Sequence, residues 1–174
     1  MYVFDFKAKM PDSDICLEIN TSEKHIEEIK IIVGKRINNK GVMPLLSKND
    51  LIRLPHLYKL INLLDDYFSH KSTDFTGIPV NFSLYSDFSV KILKTLQSVK
   101  YGETLSYKEL AVKAGYNKKY SRACATALSI NKTPIIVPCH RITASGGKLG
   151  GWSGEGGIKL KEAMLFLEKN NGKF

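Results

Sequence analysis

Three short stretches near the start of the chain, residues 4–9, 14–19 and 25–33, alternate apolar with polar side chains or run through β-branched residues. That period predicts strands buried on one face. The period then changes. Over residues 56–69, Leu57, Leu60, Ile61, Leu64 and Phe68 fall on one side of a 3.6-residue repeat, the stripe of a helix packed on a core. A polar loop with turn residues, 34–44, separates the two patterns, and residues 75–79 end the helical run. From Ser89 onward the pattern is mostly helical. Val90, Leu93, Leu96 and Gln97 line one stripe over 89–99, and Tyr101-Gly102 turns the chain. Ser106-Tyr107-Lys108-Glu109 is an S-x-x-E capping box ahead of an apolar run that ends at Gly115. Asn117 can cap a further helix reaching Ile130, and a closing helix over 158–170 turns Leu160, Met164, Leu165 and Leu167 inward.

This order predicts an α+β fold. A small mixed α/β N-terminal scaffold domain, residues 1–84, precedes a mostly helical C-terminal domain, residues 85–174, with a winged-helix-like helix-turn-helix. An ordinary αα-hairpin has the same spacing. What favours a nucleic-acid role is the second helix. It begins with Lys118, Lys119, Ser121 and Arg122, which suits phosphates, and continues with Ala123, Cys124, Ala125 and Thr126, which let a backbone approach another surface closely.

Charge sharpens this division. Residues 1–90 hold 11 Lys and Arg against 12 Asp and Glu, whereas residues 91–174 hold 15 against 5. The whole net charge of +9 therefore comes from the second half, as expected if that half meets a polyanion. A lysine-rich solvated surface would give the same count. No apolar run approaches the roughly 20 residues of a membrane span, and the first residues lack the apolar core of a secretory signal. The expectation is a cytoplasmic protein, nuclear in a eukaryote, without membrane contact. Cys16, Cys124 and Cys139 form no CxxC pair, and the four histidines show no ligand spacing, so neither a disulfide framework nor a metal is predicted.

The candidate chemistry lies in Ile135-Ile136-Val137-Pro138-Cys139-His140-Arg141. A free thiol is mostly protonated at neutral pH, so a nucleophilic Cys139 needs a base or a positive environment. A lone cysteine in an apolar run is more often a packed hydrophobe; the proline, histidine, arginine and following glycines argue for reactivity. His140 is the nearest base. In an extended segment consecutive side chains point apart, and Pro138 favours an extended Val137. Either a water then carries the proton to His140, or His140 serves something else. Glu155, Glu162 and Glu168 are the acidic residues downstream that could orient the imidazole. The stretch 146–157, GGKLGGWSGEGG, is a glycine-rich loop with the only tryptophan, suited to lie against a ligand.

Pro138-Cys139-His140-Arg141, with YGETLSYKELA before it and GGWSGEGGIKLKEAMLFLE after it, resembles the signature of O6-alkylguanine-DNA alkyltransferases. The likeness runs from about Phe88 to Glu168. It implies irreversible, stoichiometric transfer of an alkyl group from O6 of a flipped guanine to Cys139, with O4-alkylthymine as a further lesion and no cofactor. By resemblance, His140 is the base acting through water, Glu168 its orienting carboxylate, and Asn131 the hinge residue. Tyr107 contacts guanine N3, and Lys161 favours the thiolate. Leu128, Ile142, Trp152 and Ser153 line the base pocket. Arg122 enters the duplex where the base has left. Lys118, Lys119, Ser121, Ala123, Ala125, Thr126 and Lys132 face the minor groove of double-stranded DNA, bound by a monomer. The chain departs from the family pattern at Ala125-Thr126, where a Gly-Gly pair is common, and at Ser129 and Ile130, where arginine and glycine are common. The glycine-rich loop is about two residues longer than the common pattern. A non-catalytic lesion-binding protein and a thiol–imidazole hydrolase are the competing readings.

Overall fold

The computed structural model describes residues 1–10, 14–34 and 52–169. Three strands, β1 (Tyr2–Lys9), β2 (Asp14–Thr21) and β3 (Ile26–Val33), form an antiparallel meander in the order β1-β2-β3. Alternation puts Phe4, Phe6 and Ala8 of β1 and Ile15, Leu17 and Ile19 of β2 on the buried face. A register shift between Asn20 and Thr21 lets Ile26 and Ile29 of β3 both face inward. The predicted loop lies, beyond Gly34, outside the described residues, as does Asn170.

Helix α1 (Pro55–Phe68) starts with a proline in its first turn, where the missing N–H costs nothing, and covers the sheet with Leu57, Leu60, Ile61 and Leu64. Periodicity points to Phe68 as the next buried residue, yet Tyr67 is the one fully enclosed, and Phe68 is only partly covered. Phe75, Tyr101 and His140 close around the Tyr67 ring from distant parts of the chain. A helical repeat cannot report such a cover.

The second half opens with α2 (Asp87–Gln97), capped by Ser86, whose hydroxyl accepts from the Ser89 N–H. Its buried residues are Ser89, Ile92, Leu93 and Leu96; Val90 and Gln97 sit at the edge of the expected stripe. Strand β4 (Leu105–Ser106) leads into α3 (Tyr107–Lys113) through the predicted capping box, with the Ser106 N–H donating to Glu109 at 2.6 Å and the Glu109 N–H donating to Ser106 at 3.2 Å. Gly115, at φ 80°, ends this segment. The helix expected over 117–130 is a 3-10 turn, Lys118–Tyr120, followed by α4 (Ser121–Ser129). Strand β5 (Ile142–Thr143) pairs in parallel with β4, and α5 (Gly157–Lys169) closes the described chain.

One expectation is overturned. The segment that carries the nucleophile is not extended. The Val137 N–H bonds back to the Thr133 carbonyl at 2.9 Å, making a turn, and Cys139–Arg141 is a 3-10 turn. Ile135 sits at φ 74°, a position that costs a β-branched residue of order 1–3 kcal/mol. Packing compensates for it. Two hydrophobic clusters meet at this segment: Ile135 and Ile136 join the sheet, α1 and α5, while Val137 and Ile142 join α2, α3 and α4. The apolar triplet before Pro138 is thus the seam between two cores, which fixes where the following residue emerges. Among the described residues no helix is long and apolar enough to cross a membrane.

Candidate active site

Cys139 emerges from that seam, half-buried, into a cleft of about 1080 Å³. One wall is β3, from Glu28 to Ile32; the other is α4 and its hinge, through Ala125, Leu128 and Asn131; the rim is the glycine-rich loop with Trp152, Ser153 and Glu155. Tyr107, at the start of α3, also lines the cleft. Asn131 braces the hinge. Its Nδ2 donates to the Val137 carbonyl at 2.9 Å and to Cys139 Sγ at 3.4 Å, while its Oδ1 accepts from the Thr133 N–H at 3.1 Å.

Beneath the thiol lies a buried polar network. His140 and Glu168 are both closed to solvent, and His140 Nε2 is 2.6 Å from Glu168 Oε1. Arg141 donates to the same carboxylate from Nε at 2.9 and 3.1 Å and from Nη2 at 3.0 Å, and its Nη1 donates to the Val99 carbonyl at 2.6 Å. The Tyr67 hydroxyl donates to Glu168 Oε1 at 3.0 Å, and the Gly102 N–H donates to Oε2 at 3.0 Å. Of the three acidic candidates, Glu168 alone reaches the imidazole. Glu162 is exposed, and Glu155 accepts from the Val33 N–H at 3.1 Å. No hydrogen bond joins Cys139 Sγ to the His140 ring, and His140 Nδ1 is buried with no protein partner.

Burial sets the titration of these groups. It pushes the Cys139 thiol up, against the Asn131 hydrogen bond and the nearby Lys161 charge, which pull it down. Burial also pushes His140 down, opposed by Glu168, so the imidazole is neutral at physiological pH. Burial alone would raise the Glu168 carboxyl; His140 and Arg141 outweigh it and hold the group well below the usual carboxylate range. With Nε2 facing a carboxylate, Nε2 carries the ring proton and Nδ1 keeps a free lone pair. Lys161 is buried, lowered by desolvation, and donates to the carbonyls of Ile142 and Gly151.

The other predicted residues fall in two places. Leu128 is buried and lines the cleft, Ile142 is buried in the second apolar cluster, Ser153 is exposed on the loop, and the Trp152 ring lies 6.4 Å from the His140 ring. Lys118, Lys119, Arg122, Thr126 and Lys132 are exposed, and Ser121, Ala123 and Ala125 are half-buried beside them. Lys132 is tied at its backbone, its N–H donating to the Tyr85 hydroxyl and its carbonyl accepting from the Ile29 N–H. Among the described residues no three His, Cys, Asp or Glu side chains converge as a metal site. Sequence reasoning missed Tyr67 and the ion pair of Arg141. A buried arginine demands a partner, so the motif held a signal for the second; nothing local marked the first.

Residues 87–170 match the profile of the 6-O-methylguanine DNA methyltransferase DNA binding domain. Beyond that segment, the methylated-DNA–protein-cysteine methyltransferase of Kluyveromyces lactis is 34% identical over 156 residues, 86% of this chain and 80% of that protein. The chain belongs to the methylated-DNA–protein-cysteine methyltransferase family. The Homo sapiens member is 33% identical over 159 residues, 87% of this chain and 74% of its own length. The Metallosphaera sedula member is 40% identical over 109 residues, 63% of this chain and 65% of that protein, so the matched stretch spans just under two thirds of its length. Among solved structures, Mycobacterium tuberculosis OGT in complex with DNA superposes with a TM-score of 0.68 at 28% identity, covering 90% of this chain and 88% of that one.

Proposed function

We propose that this chain repairs alkylated DNA by moving the alkyl group from guanine O6 onto Cys139 Sγ, once per molecule. The observation that carries the proposal is the placing of one thiol at the floor of an open cleft, above a buried imidazole–carboxylate pair whose Nδ1 is free. The thiol proton passes through a water to His140 Nδ1, and Glu168 stabilises the imidazolium. The thiolate attacks the alkyl carbon, a C–S bond forms, and the C–O bond breaks with its electron pair returning to the guanine. The Tyr107 hydroxyl, beside the cleft, hydrogen-bonds the purine N3 where that charge develops. Lys161 adds positive potential near the sulfur. A thioether is a poor leaving group, and among the described residues no second cysteine lines the cleft to resolve it, so the reaction stops there.

The target atom lies inside the base stack, so the nucleotide must be flipped, at a cost of a few kcal/mol. Arg122, exposed on α4, fills the vacancy from the minor groove. Lys118, Lys119 and Lys132 meet phosphates, while Ser121, Ala123, Ala125 and Thr126 lie against the groove. Trp152 and the Ser153 N–H close over the extruded base, Leu128 supports it, and the carbonyls of Cys139 and Ile142 accept from its amino group. Residues 1–84 serve as scaffold and residues 85–174 as the DNA-binding and acceptor domain, acting as a monomer; Ile135, Ile136 and α5 cross that boundary and pack into the core of the first part. O4-alkylthymine is the second lesion class. Intact-protein mass spectrometry after incubation with an O6-methylguanine duplex tests the reading. One methyl mass on the unaltered chain and none on Cys139→Ala is the expected result. Duplex binding without mass gain makes this a lesion-binding protein instead.

A further inference from the structure

The proposed reaction leaves the N-terminal half with no part in the chemistry, yet that half places one polar atom inside the network. We infer that Tyr67, carried by α1, is a positioning residue for the thiol-activating base: its hydroxyl, hydrogen-bonded to Glu168, tunes how strongly that carboxylate holds His140. This rests on the alkyltransferase reading above.

Tyr67 is fully buried, and a phenol in an apolar interior is worse than a phenylalanine unless its hydroxyl is bonded. The hydroxyl donates to Glu168 Oε1 at 3.0 Å and lies 3.4 Å from His140 Nε2. Glu168 Oε1 is also the oxygen that contacts His140, at 2.6 Å. One carboxylate oxygen therefore serves the base and the tyrosine together. Burial and the Glu168 charge push the Tyr67 phenol up, so it stays a proton donor throughout the working range. The other charged or titratable groups around the imidazole are Lys161 from α5 and Cys139 and Arg141 from its own turn, with Tyr101 bordering Glu168.

The sign follows from charge. A donor on Oε1 withdraws negative charge from the atom that would stabilise an imidazolium. Without it Oε1 is a stronger acceptor, His140 holds a proton to higher pH, and less neutral base is available. Tyr67→Phe keeps the ring and its packing against Phe75 and Tyr101. Single-turnover rates with free O6-benzylguanine, measured from about pH 4 to 9, should show the acid limb moved upward by roughly half to one pH unit, with the rate on the acid side of its midpoint falling by up to about three- to tenfold. A profile that superimposes on the parent, or a shift to lower pH, overturns the inference. A purely packing role would lower the melting temperature without moving the limb.

The unaltered protein gives a second reading that needs no variant. Nitrogen NMR of His140 at neutral pH should show Nε2 protonated and Nδ1 bare, and a slowly exchanging Tyr67 hydroxyl proton should appear beside it. The opposite tautomer, or no protected hydroxyl proton, also overturns the inference. Should the parent protein form no thioether, the alkyltransferase reading falls, while the NMR result still decides whether Tyr67 governs the imidazole.

Discussion

Replacing Glu168 by glutamine tests the buried network most directly. Glu168 accepts from Arg141, Tyr67, His140 and the Gly102 N–H at 2.6 to 3.1 Å, with its side chain closed to solvent. Glutamine keeps the shape, removes the charge, and turns one acceptor into a donor facing other donors. Arg141 is then a buried cation without its counter-ion. Breaking one partner of a buried pair costs about 3–5 kcal/mol. At about 2–4 °C per kcal/mol for a chain of this size, the melting temperature should fall by roughly 10 °C. The pH dependence carries a second sign. The folded carboxyl lies below its ordinary 4.5, so its contribution is complete above the unfolded value and is lost as pH falls through that value toward the folded one. Urea denaturation of parent and Glu168→Gln should therefore show a stability gap that is largest at neutral pH and narrows on acidification below about 4.5. A gap under about 1 kcal/mol at neutral pH, or one that widens in acid, would refute the claim that Glu168 is a charged partner.

Three further outcomes follow from single contacts. Asn131→Ala removes a donor to Cys139 Sγ, so the midpoint of thiol alkylation by iodoacetamide against pH should move up; an unmoved midpoint would leave Asn131 a hinge alone. Gly156→Ala would place a Cβ 2.8 Å from Leu160 Cβ and 3.0 Å from Val33 Cγ2 at φ 85°, so it should destabilise by about 1–3 kcal/mol in thermal unfolding, where Gly146→Ala, with nothing near its Cβ, should cost less. Arg122→Ala should slow duplex repair at least about tenfold while free O6-benzylguanine reacts at the parent rate; equal losses would count against its entry into the duplex.

The local rules written in the chain account for much of the architecture. Alternation predicts β1, β2 and β3, the S-x-x-E box predicts the start of α3, and Gly115 predicts its end, because each depends on side chains within a few residues of one another. The thiol, the imidazole beside it and the acidic candidates are legible for the same reason: their chemistry is intrinsic to residue type. Which carboxylate serves the histidine is legible only through the family resemblance, which implies Glu168, and is not legible in local chemistry, because residue type does not separate Glu155 on the glycine-rich loop from Glu162 and Glu168 on the closing helix. Nor is the 3-10 turn at Cys139, where an extended strand is the local preference. Two cores meeting at Ile135, Ile136 and Val137 hold the segment against that preference, including an isoleucine at positive φ. Tyr67 lies furthest from anything local, since its hydroxyl gains meaning only from Glu168, 101 residues away. Periodicity tells a residue that it is buried; only packing between distant segments decides beside which charge.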